Sequence, residues 1–200
     1  MVITEVAQGK RNKDRLNIYI DDKFSFACYI ETAVKHRLKK GVEVTQALID
    51  SIREEDGQKY AFDTALKFVS RKMRTQKEIE DKLREKEVDE AQIVYAVGKL
   101  IEYGYIDDRH YAELYVSELC QKYGVRMIKQ KLAQKGIKTE LIKELPIDAE
   151  PALEEHLQKL YRRYEQEEPA KKKQKIIRAL LQKGFEYDEI KGAMKGIHED

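Results

Sequence analysis

The sequence of 200 residues has few of the residues that interrupt or cross-link a chain: 10 glycines, 3 prolines and 2 cysteines. So few glycines and prolines cannot supply the many tight turns and phosphate-binding loops of a compact α/β enzyme. Cys28 and Cys120 lie far apart and neither belongs to a CxxC pair, which argues against a zinc site and a disulfide framework. We therefore expect a thin, elongated, mostly helical protein in which both thiols are buried and reduced.

Long apolar segments are also missing. The first ten residues are interrupted by Glu5 and lack the apolar core of a signal peptide. No run approaches the length of a membrane span, and neither end carries a lipidation motif. Hydrophobic residues make up 42% of the chain, and the mean hydropathy of −0.70 indicates much exposed surface. These features predict a cytoplasmic protein without a membrane partner.

Motifs of known catalytic sites are absent from the sequence. It contains no GxGxxG, GxxxxGK[ST], GxSxG or HExxH pattern. The four histidines have no partner at the spacing of metal ligands: His36, His110, His156 and His198. Small three-helix units also rarely provide a concave pocket. We expect no enzymatic activity, no metal and no cofactor, with an enzyme of unrecognised type as the minor alternative.

The first 57 residues, which we assign to an N-terminal extension, carry a period-two pattern. Apolar residues alternate with other residues on both sides of the pair Asp22-Lys23, at Leu16, Ile18 and Ile20 and then at Phe24, Phe26 and Cys28. This pattern predicts a β-hairpin. A helix is expected over about residues 29–38, and another should start after an N-cap at Thr45.

From residue 58 onward the apolar pattern is helical, and it recurs at intervals of 49 and 48 residues. Four columns of apolar residues follow this period: Ile79, Ile128 and Ile176; Leu83, Leu132 and Leu180; Val88, Ile137 and Phe185; and Ile93, Ile142 and Ile190. A period of this length is typical of stacked supersecondary units. We assign three tandem repeats to residues 58–106, 107–149 and 150–200.

Each repeat is predicted to contain three helices. They should span about residues 59–72, 76–86 and 90–103 in the first repeat, 108–121, 125–135 and 140–145 in the second, and 152–167, 170–183 and 187–195 in the third. Thr75 and Glu78 have the spacing of a capping box before the second helix of the first repeat. The large apolar residue at the turn before each third helix should plug the small core of that repeat.

Five tyrosines gather where the first and second repeats meet: Tyr103, Tyr105, Tyr111, Tyr115 and Tyr123. Aromatic rings of this kind can stack on the bases of single-stranded nucleic acid. Packing between adjacent repeats is the stronger interpretation, because Tyr111 and Tyr115 share a helix face and their hydroxyls can reach solvent at the rim. We therefore expect these rings in the core.

Charge is nearly balanced over the whole chain, with 39 basic and 37 acidic residues and a net charge of +2, but it is not evenly distributed. The predicted middle helices 125–135 and 170–183 carry basic residues and no acidic one, whereas 76–86 carries four of each. A basic stripe suits a phosphate backbone or an acidic protein groove, and otherwise it is a solvated face. Its recurrence in the same position of two repeats favours binding.

A helix-turn-helix protein that binds DNA directly is the alternative function. In that arrangement the last helix of a unit enters the major groove. The predicted helices 90–103 and 187–195 contain no arginine and carry two carboxylates each, so they are poor readers of base edges. Sequence-specific DNA binding is therefore the weaker interpretation.

Several segments resemble the RecX family of bacterial regulators of the RecA recombinase, from about residue 60 to the C-terminus. They are Arg71–Thr75 with Glu78-Ile79 and Lys82-Leu83; Tyr103–Asp108 with Tyr111-Ala112; Gly124, Ile128 and Leu132 with Lys135–Ile137; and Leu180–Phe185 with Tyr187 and Ile190. One departure is the stretch Glu85–Val88, which has no glycine where the later copies have Gly136 and Gly184. The first 57 residues resemble the more variable extension of some members.

The resemblance implies a mainly all-α fold in which three three-helix repeats form a curved, elongated array behind a small N-terminal β-hairpin with helices. It implies a monomer without enzymatic activity that lies in the groove of the RecA filament on single-stranded DNA, inhibits ATP hydrolysis, filament growth and strand exchange, and so acts in DNA repair and the SOS response. A weak direct contact with DNA is also expected. The candidate contact residues are Arg126, Lys129, Lys131, Lys171, Lys172, Lys173, Lys175 and Arg178.

Overall fold

The computed structural model describes residues 1–10 and 12–196, so His198 and the end of the third predicted repeat lie outside the described residues. Within the described part the chain forms three strands and ten helices. The strands are β1 (Ile3–Gln8), β2 (Arg15–Ile20) and β3 (Lys23–Tyr29). The helices are α1 (Ile30–Lys35), α2 (Gln46–Val69), α3 (Gln76–Glu85), α4 (Glu90–Glu102), α5 (Asp108–Leu119), α6 (Val125–Gln134), α7 (Thr139–Glu144), α8 (Glu150–Arg163), α9 (Pro169–Gln182) and α10 (Tyr187–Gly196).

The strands form one antiparallel sheet in the order β1-β2-β3. The predicted hairpin is confirmed, with Ile18 opposite Phe26, but its turn lies one residue before the predicted pair Asp22-Lys23, because Lys23 already pairs with Ile20. Its turn is centred on Asp21 and Asp22, whose φ angles of 48° and 62° give the twist that a two-residue hairpin favours. Strand β1 was not predicted, because Ile3 is its only buried residue and the alternation around it is weak.

Helix α2 runs without a break through Gly57, so the predicted separation into two helices at this point is wrong. Glycine costs an interior helix position roughly 1 kcal/mol relative to alanine, but here it leaves room for the side chain of Gln92 of α4. A Cβ atom on Gly57 would lie 2.5 Å from Gln92 Cδ of α4. Ala61 and Ala65, one and two turns further along α2, are buried. The glycine is part of a helix–helix contact and does not mark a helix end.

A buried ion pair fastens the sheet to α2. Asp56 is 4% exposed and accepts hydrogen bonds from Arg15 Nη2 at 2.5 Å and from the Tyr29 amide at 2.6 Å. Arg15 also donates to Ala27 O, so its charged fork spans β3 and α2. The N-terminal sheet therefore packs against a helix that continues into the first repeat.

Three-helix repeats follow, composed of α2–α4, α5–α7 and α8–α10. All twelve residues of the four apolar columns are buried, none of them more than 9% exposed. The capping box is confirmed: the Thr75 amide donates to Glu78 Oε2 at 3.3 Å, and the Glu78 amide donates to Thr75 Oγ1 at 3.2 Å. The predicted helix ends are accurate to within a few residues, apart from the start of α2.

The turn after each middle helix has the same hydrogen-bond pattern in all three repeats. The amide of the plug residue reaches five residues back: Val88 to Leu83 O at 3.2 Å, Ile137 to Leu132 O at 3.1 Å and Phe185 to Leu180 O at 3.2 Å. This is a Schellman motif, whose penultimate residue needs a positive φ. That residue is Glu87 in the first repeat, with φ 57°, and Gly136 and Gly184 in the others, with φ 83° and 87°.

Compact packing divides the described chain into two units. The first comprises residues 1–72 and 79–105, and the second comprises residues 73–78 and those from 106 onward. In the second unit the apolar residues of α5–α7 and α8–α10 merge into one core, which contains Ile128, Ile137, Ile176 and Phe185. The second and third repeats therefore share a hydrophobic interior.

Within the second unit, the start of α3 lies against the turn after α6. Thr75 is fully buried and donates its hydroxyl to Lys135 O at 2.8 Å. Lys135 Nζ donates to Glu78 Oε1 at 2.6 Å. A Cβ atom on Gly136 would lie 2.5 Å from Lys77 Cδ. We call this contact the Thr75 joint.

The start of α6 meets the turn after α9 in the same way. The Gly124 amide donates to Lys183 O at 3.0 Å, and the Arg126 amide donates to Gly184 O at 3.2 Å. A Cβ atom on Gly184 would lie 2.5 Å from the Met127 nitrogen. We call this contact the Gly124 joint. In both joints the first turn of one middle helix packs on the end of the next.

Candidate functional site

Four of the eight candidate cations lie along neighbouring openings on α6 and α9. Arg126 and Arg178 line a cavity of about 570 Å³ between the two helices. Lys171, Lys175 and Arg178 line a second opening of about 380 Å³ along α9, and Gln174 contributes to both. We call Arg126, Lys171, Lys175 and Arg178 the basic face.

Two members of the basic face also hold the structure together. Arg126 Nη2 donates to Leu181 O at 2.7 Å, which links α6 to α9, and Arg126 Nε lies 3.8 Å from Glu186 Oε1. Lys175 pairs with Glu167. By contrast, Lys171 and Arg178 are exposed and make no ion pair with any other described residue. These two side chains are the free charges of the face.

The remaining candidates on α6 are separated from one another. Lys129 is exposed one turn after Arg126 on the same helix face, and nothing in the described part of the chain forms an ion pair with it. Lys131 is half-buried, with Nζ 4.8 Å from the centre of the Tyr123 ring. The structure therefore places Lys129 beside the basic face and directs Lys131 away from it.

Lys172 and Lys173 lie on the opposite side of α9 and line a different cavity. This cavity has a volume of about 500 Å³, and it is formed by α9, α10, the end of α8 and the loop between α8 and α9. Two further lysines, Lys191 and Lys195, enter it from α10. We call it the third-repeat groove. In the sequence these two lysines are balanced by Asp188 and Glu189, but their separation by four residues places them on one helix face.

Such a cavity departs from the expectation that three-helix units rarely provide a pocket. It lies between the end of α8, the loop with Glu165 and Pro169, α9 and α10. The spacing of apolar residues carries no information about this arrangement.

The equivalent helix of the first repeat has a different surface. On α3, Lys82 Nζ pairs with Glu85 at 2.8 Å, and Arg84 Nε pairs with Glu90 at 2.7 Å, with Glu80 and Asp81 within 4 Å of Arg84. Such exposed pairs stabilise a protein little, but they cancel the local field. The unpaired positive charge of α9 therefore has no counterpart in these pairs of α3.

The five tyrosines do not share one environment. Tyr111 and Tyr115 pack against the core of the second unit with ring centres 5.8 Å apart, and Tyr123 packs there too. Tyr103 and Tyr105 are 57% and 53% exposed, so their predicted place in the core is wrong. Both follow the last turn of α4, where Gly104 turns the chain outward with φ 72°.

Two histidines and Cys28 have structural surroundings, whereas Cys120, which was expected to be buried, is only partly buried. His36 Nε2 lies 2.9 Å from Glu55 Oε2, and His156 Nε2 donates to Lys122 O at 3.1 Å. Burial lowers the pKa of His156 and raises the pKa of Cys28 to about 11, so both side chains are neutral near pH 7. Across residues 1–10 and 12–196, no three His, Cys, Asp or Glu side chains are placed to hold a metal ion. The same residues include no helix long and apolar enough to cross a membrane.

Comparison with known proteins identifies the family. The regulatory protein RecX of Clostridium acetobutylicum is 35% identical over 207 aligned positions, which cover 99% of this chain and 97% of that protein. The chain belongs to the RecX family of regulatory proteins. RecX of Bacillus subtilis is 34% identical over 98% of this chain and 76% of its own length.

Models of the RecX domains match successive parts of the chain. The RecX N-terminal domain matches residues 1–45, and the first, second and third three-helix domains of RecX match residues 61–100, 107–145 and 148–194. A crystal structure of a regulatory protein RecX superposes with a TM-score of 0.70 at 31% identity, covering 96% of this chain and 98% of the other. A crystal structure of RecX from Lactobacillus salivarius gives 0.65 at 32% identity, covering 73% and 99%.

The RecX domain assignments locate the basic face. Arg126 lies in the second three-helix domain of RecX, and Lys171, Lys175 and Arg178 lie in the third. The face therefore crosses from one RecX domain to the next along the Gly124 joint. Helix α4, the last helix of the first RecX three-helix domain, instead exposes Val94 and other apolar side chains, which do not suit a phosphate backbone.

Proposed function

We propose that this protein binds the groove of the RecA filament on single-stranded DNA and inhibits RecA ATP hydrolysis, filament growth and strand exchange without catalysing a reaction. Membership of the RecX family supports a regulatory role. The observation that carries the proposal is the basic face, whose four cations lie on two adjacent helices and include the unpaired Lys171 and Arg178 of α9. A face of this kind binds phosphates by releasing their counterions.

The eight candidate cations divide by their contacts into three roles. Lys171 and Arg178 supply the main electrostatic contact because their charges are free, with Lys129 beside them. Arg126 and Lys175 shape the face while they hold Leu181 and Glu167. Lys131, Lys172 and Lys173 contribute least, since Lys131 lies over Tyr123 and the other two enter the third-repeat groove.

The proposal is tested by RecA ATP hydrolysis on single-stranded DNA with substoichiometric amounts of the protein over a salt series. The variant Lys171→Glu/Arg178→Glu should inhibit less than the parent. Its inhibition should also depend less on salt, because each lost phosphate contact lowers the slope of log affinity against log salt by about 0.7–0.9.

A matched control is Lys138→Glu/Lys143→Glu, which changes the net charge equally at exposed positions outside the basic face. The control should inhibit like the parent. Equal inhibition by both variants and the parent at every salt concentration would contradict the assignment of the face. A parent protein that leaves RecA activity unchanged would contradict the proposed function itself.

Direct binding to duplex DNA is the second candidate, and the same basic face favours it. Titration with duplex DNA in the absence of RecA separates the two. Saturable, sequence-dependent binding supports the second candidate, whereas weak binding without sequence preference supports the filament proposal.

A further inference from the structure

The third-repeat groove combines an apolar floor with a basic rim. Ile177 of α9 and Met194 of α10 lie on the floor with Tyr161, and Tyr187 is half exposed at the edge. Its volume of about 500 Å³ is in the range that holds several side chains or a small ligand. An apolar floor of aliphatic and aromatic groups suits a hydrophobic anchor.

The rim carries two pairs of lysines. Lys172 and Lys173 stand on α9, and Lys191 and Lys195 stand one turn apart on α10. Lys172 Nζ lies 5.0 Å from the centre of the Tyr161 ring. In the described part of the chain no carboxylate pairs with Lys173, Lys191 or Lys195. An occupant therefore needs negative charges on both sides of its anchor.

The mixture of charge and apolar surface favours a peptide over a nucleic acid. Glu165 and Glu167 line the groove next to Pro169, but Glu167 is paired with Lys175, so the lysines of the rim outnumber the carboxylates. A peptide can place an apolar side chain on the floor and carboxylates only beside the lysines, and its backbone N–H groups can donate to Glu165. A nucleic acid carries a phosphate at every nucleotide and cannot leave the floor and the Glu165 side free of charge. Ile177 lines both this groove and the cavity of the basic face, whereas the lysines of the groove are not part of that face.

We propose that the third-repeat groove is a docking site for an acidic peptide segment that carries an aromatic or branched aliphatic anchor. The anchor packs on Ile177 and Met194 while its flanking carboxylates meet the lysines of α9 and α10. This inference goes beyond the proposed function, because it concerns the binding of a peptide without DNA by lysines that are not part of the basic face.

The test is fluorescence anisotropy of the full chain with a short labelled peptide of aspartate and glutamate around a Phe-Ala-Ala-Leu core. A second peptide replaces the Phe and Leu by Ala, and a labelled oligo-dT of equal length serves as the nucleic-acid probe. We expect the anchored peptide to bind at least about 10-fold more tightly than the Ala peptide, which corresponds to about 1.4 kcal/mol.

Two charge-reversal variants with equal change in net charge locate the site. Lys191→Glu/Lys195→Glu should raise the Kd of the anchored peptide by about 10-fold or more, whereas Lys171→Glu/Arg178→Glu should raise it by less than about 3-fold. Tyr187→Ala should also weaken binding of the anchored peptide. Because Tyr187 is half exposed, this substitution should change the stability of the fold little. Far-UV circular dichroism checks that each variant is folded.

Three results would overturn the inference. Equal losses in both charge-reversal variants would mean nonspecific electrostatic attraction. Equal binding of the two peptides would show that the apolar anchor does not contribute to affinity. Displacement of the peptide by oligo-dT, with loss of oligo-dT binding in Lys191→Glu/Lys195→Glu, would make the groove a nucleic-acid site. None of these results depends on RecA, so they test the groove separately from the proposed function.

Discussion

The Thr75 joint and the Gly124 joint place the first turn of one helix on the end of the next, but they use different chemistry. The Thr75 joint is made largely by side chains, with a buried hydroxyl and the ion pair between Glu78 and Lys135. The Gly124 joint is made by backbone amides and carbonyls that approach closely because Gly124 and Gly184 lack a Cβ atom. One contact geometry is thus reached by adding polar groups in one place and by removing side chains in the other.

The difference predicts how each joint fails. A joint of glycines has no group that titrates in the accessible pH range, and it fails when a methyl group is added. A joint with a carboxylate and an ammonium depends on pH and fails when a charge is removed. The two joints should therefore respond differently to an added side chain and to a change of pH.

Gly184→Ala should cause the largest loss. The new Cβ would lie 2.5 Å from the Met127 nitrogen, in a residue held at φ 87°. Backbone strain and overpacking together cost about 3 kcal/mol or more of unfolding free energy. Urea unfolding followed by circular dichroism should show a lower midpoint with an unchanged m-value.

The control is Gly192→Ala in α10, where no atom lies within 4 Å of the added Cβ. It should gain up to about 1 kcal/mol from the better helix propensity of alanine. If Gly184→Ala were as stable as the parent, close backbone approach would not be what the Gly124 joint requires.

Lys135→Met should destabilise the protein by about 1–2 kcal/mol at pH 7, a value kept small because both partners are partly exposed. Burial alone would raise the pKa of Glu78, but hydrogen bonds from the Lys135 ammonium and the Thr75 amide hold it below its ordinary value. The contribution of this pair is therefore complete above the unfolded pKa of about 4.3 and is lost as the pH falls through the folded pKa.

Urea unfolding at a series of pH values measures this effect. The difference in unfolding free energy between the parent and Lys135→Met should shrink below about pH 4. The difference between the parent and Gly184→Ala should stay constant over the same range. A constant difference for Lys135→Met as well would show that the ammonium stabilises the joint by something other than its pairing with Glu78.

Glu87→Gly should have the smallest effect, a gain of about 0.5–1 kcal/mol. Glu87 has the positive φ that glycine adopts without a steric cost, so glycine relieves backbone strain. Part of this gain is offset because glycine raises the conformational entropy of the unfolded chain. Thermal unfolding should show a slightly raised Tm. A lowered Tm would mean that the Glu87 side chain contributes to stability through contacts of its own.

Much of the fold could be predicted from sequence because the apolar columns report burial directly. The plug residues were predicted for this reason, and the capping box was predicted from the spacing of Thr75 and Glu78. Strand β1 was not predicted, since a weakly alternating edge strand has the pattern of a loop. The continuity of α2 was not predicted either, since Gly57 has the pattern of a helix boundary. Both depend on a partner segment that local sequence does not specify.

The candidate site was predicted only in part. Basic stripes on α6 and α9 are visible in the sequence, but neighbouring residues of one helix point in different directions. Lys171 and Lys172 are adjacent in the chain, yet one lies on the basic face and the other enters the third-repeat groove. Lys191 and Lys195 enter that groove from α10, and only tertiary packing brings them there.

The groups that form the two joints are replaced by different groups at the ends of the series. A contact that joins the end of one helix to the start of the next could in principle continue from molecule to molecule as an open filament. At one end of the series, Glu87 places a Cβ atom where Gly136 and Gly184 leave room.

At the other end, the amide that corresponds to Gly124 is that of Lys172, and α9 begins early enough for it to be donated to Glu168 O at 2.8 Å. The two ends of the series therefore differ from both joints, by a side chain at one and by an amide already bonded within its own helix at the other.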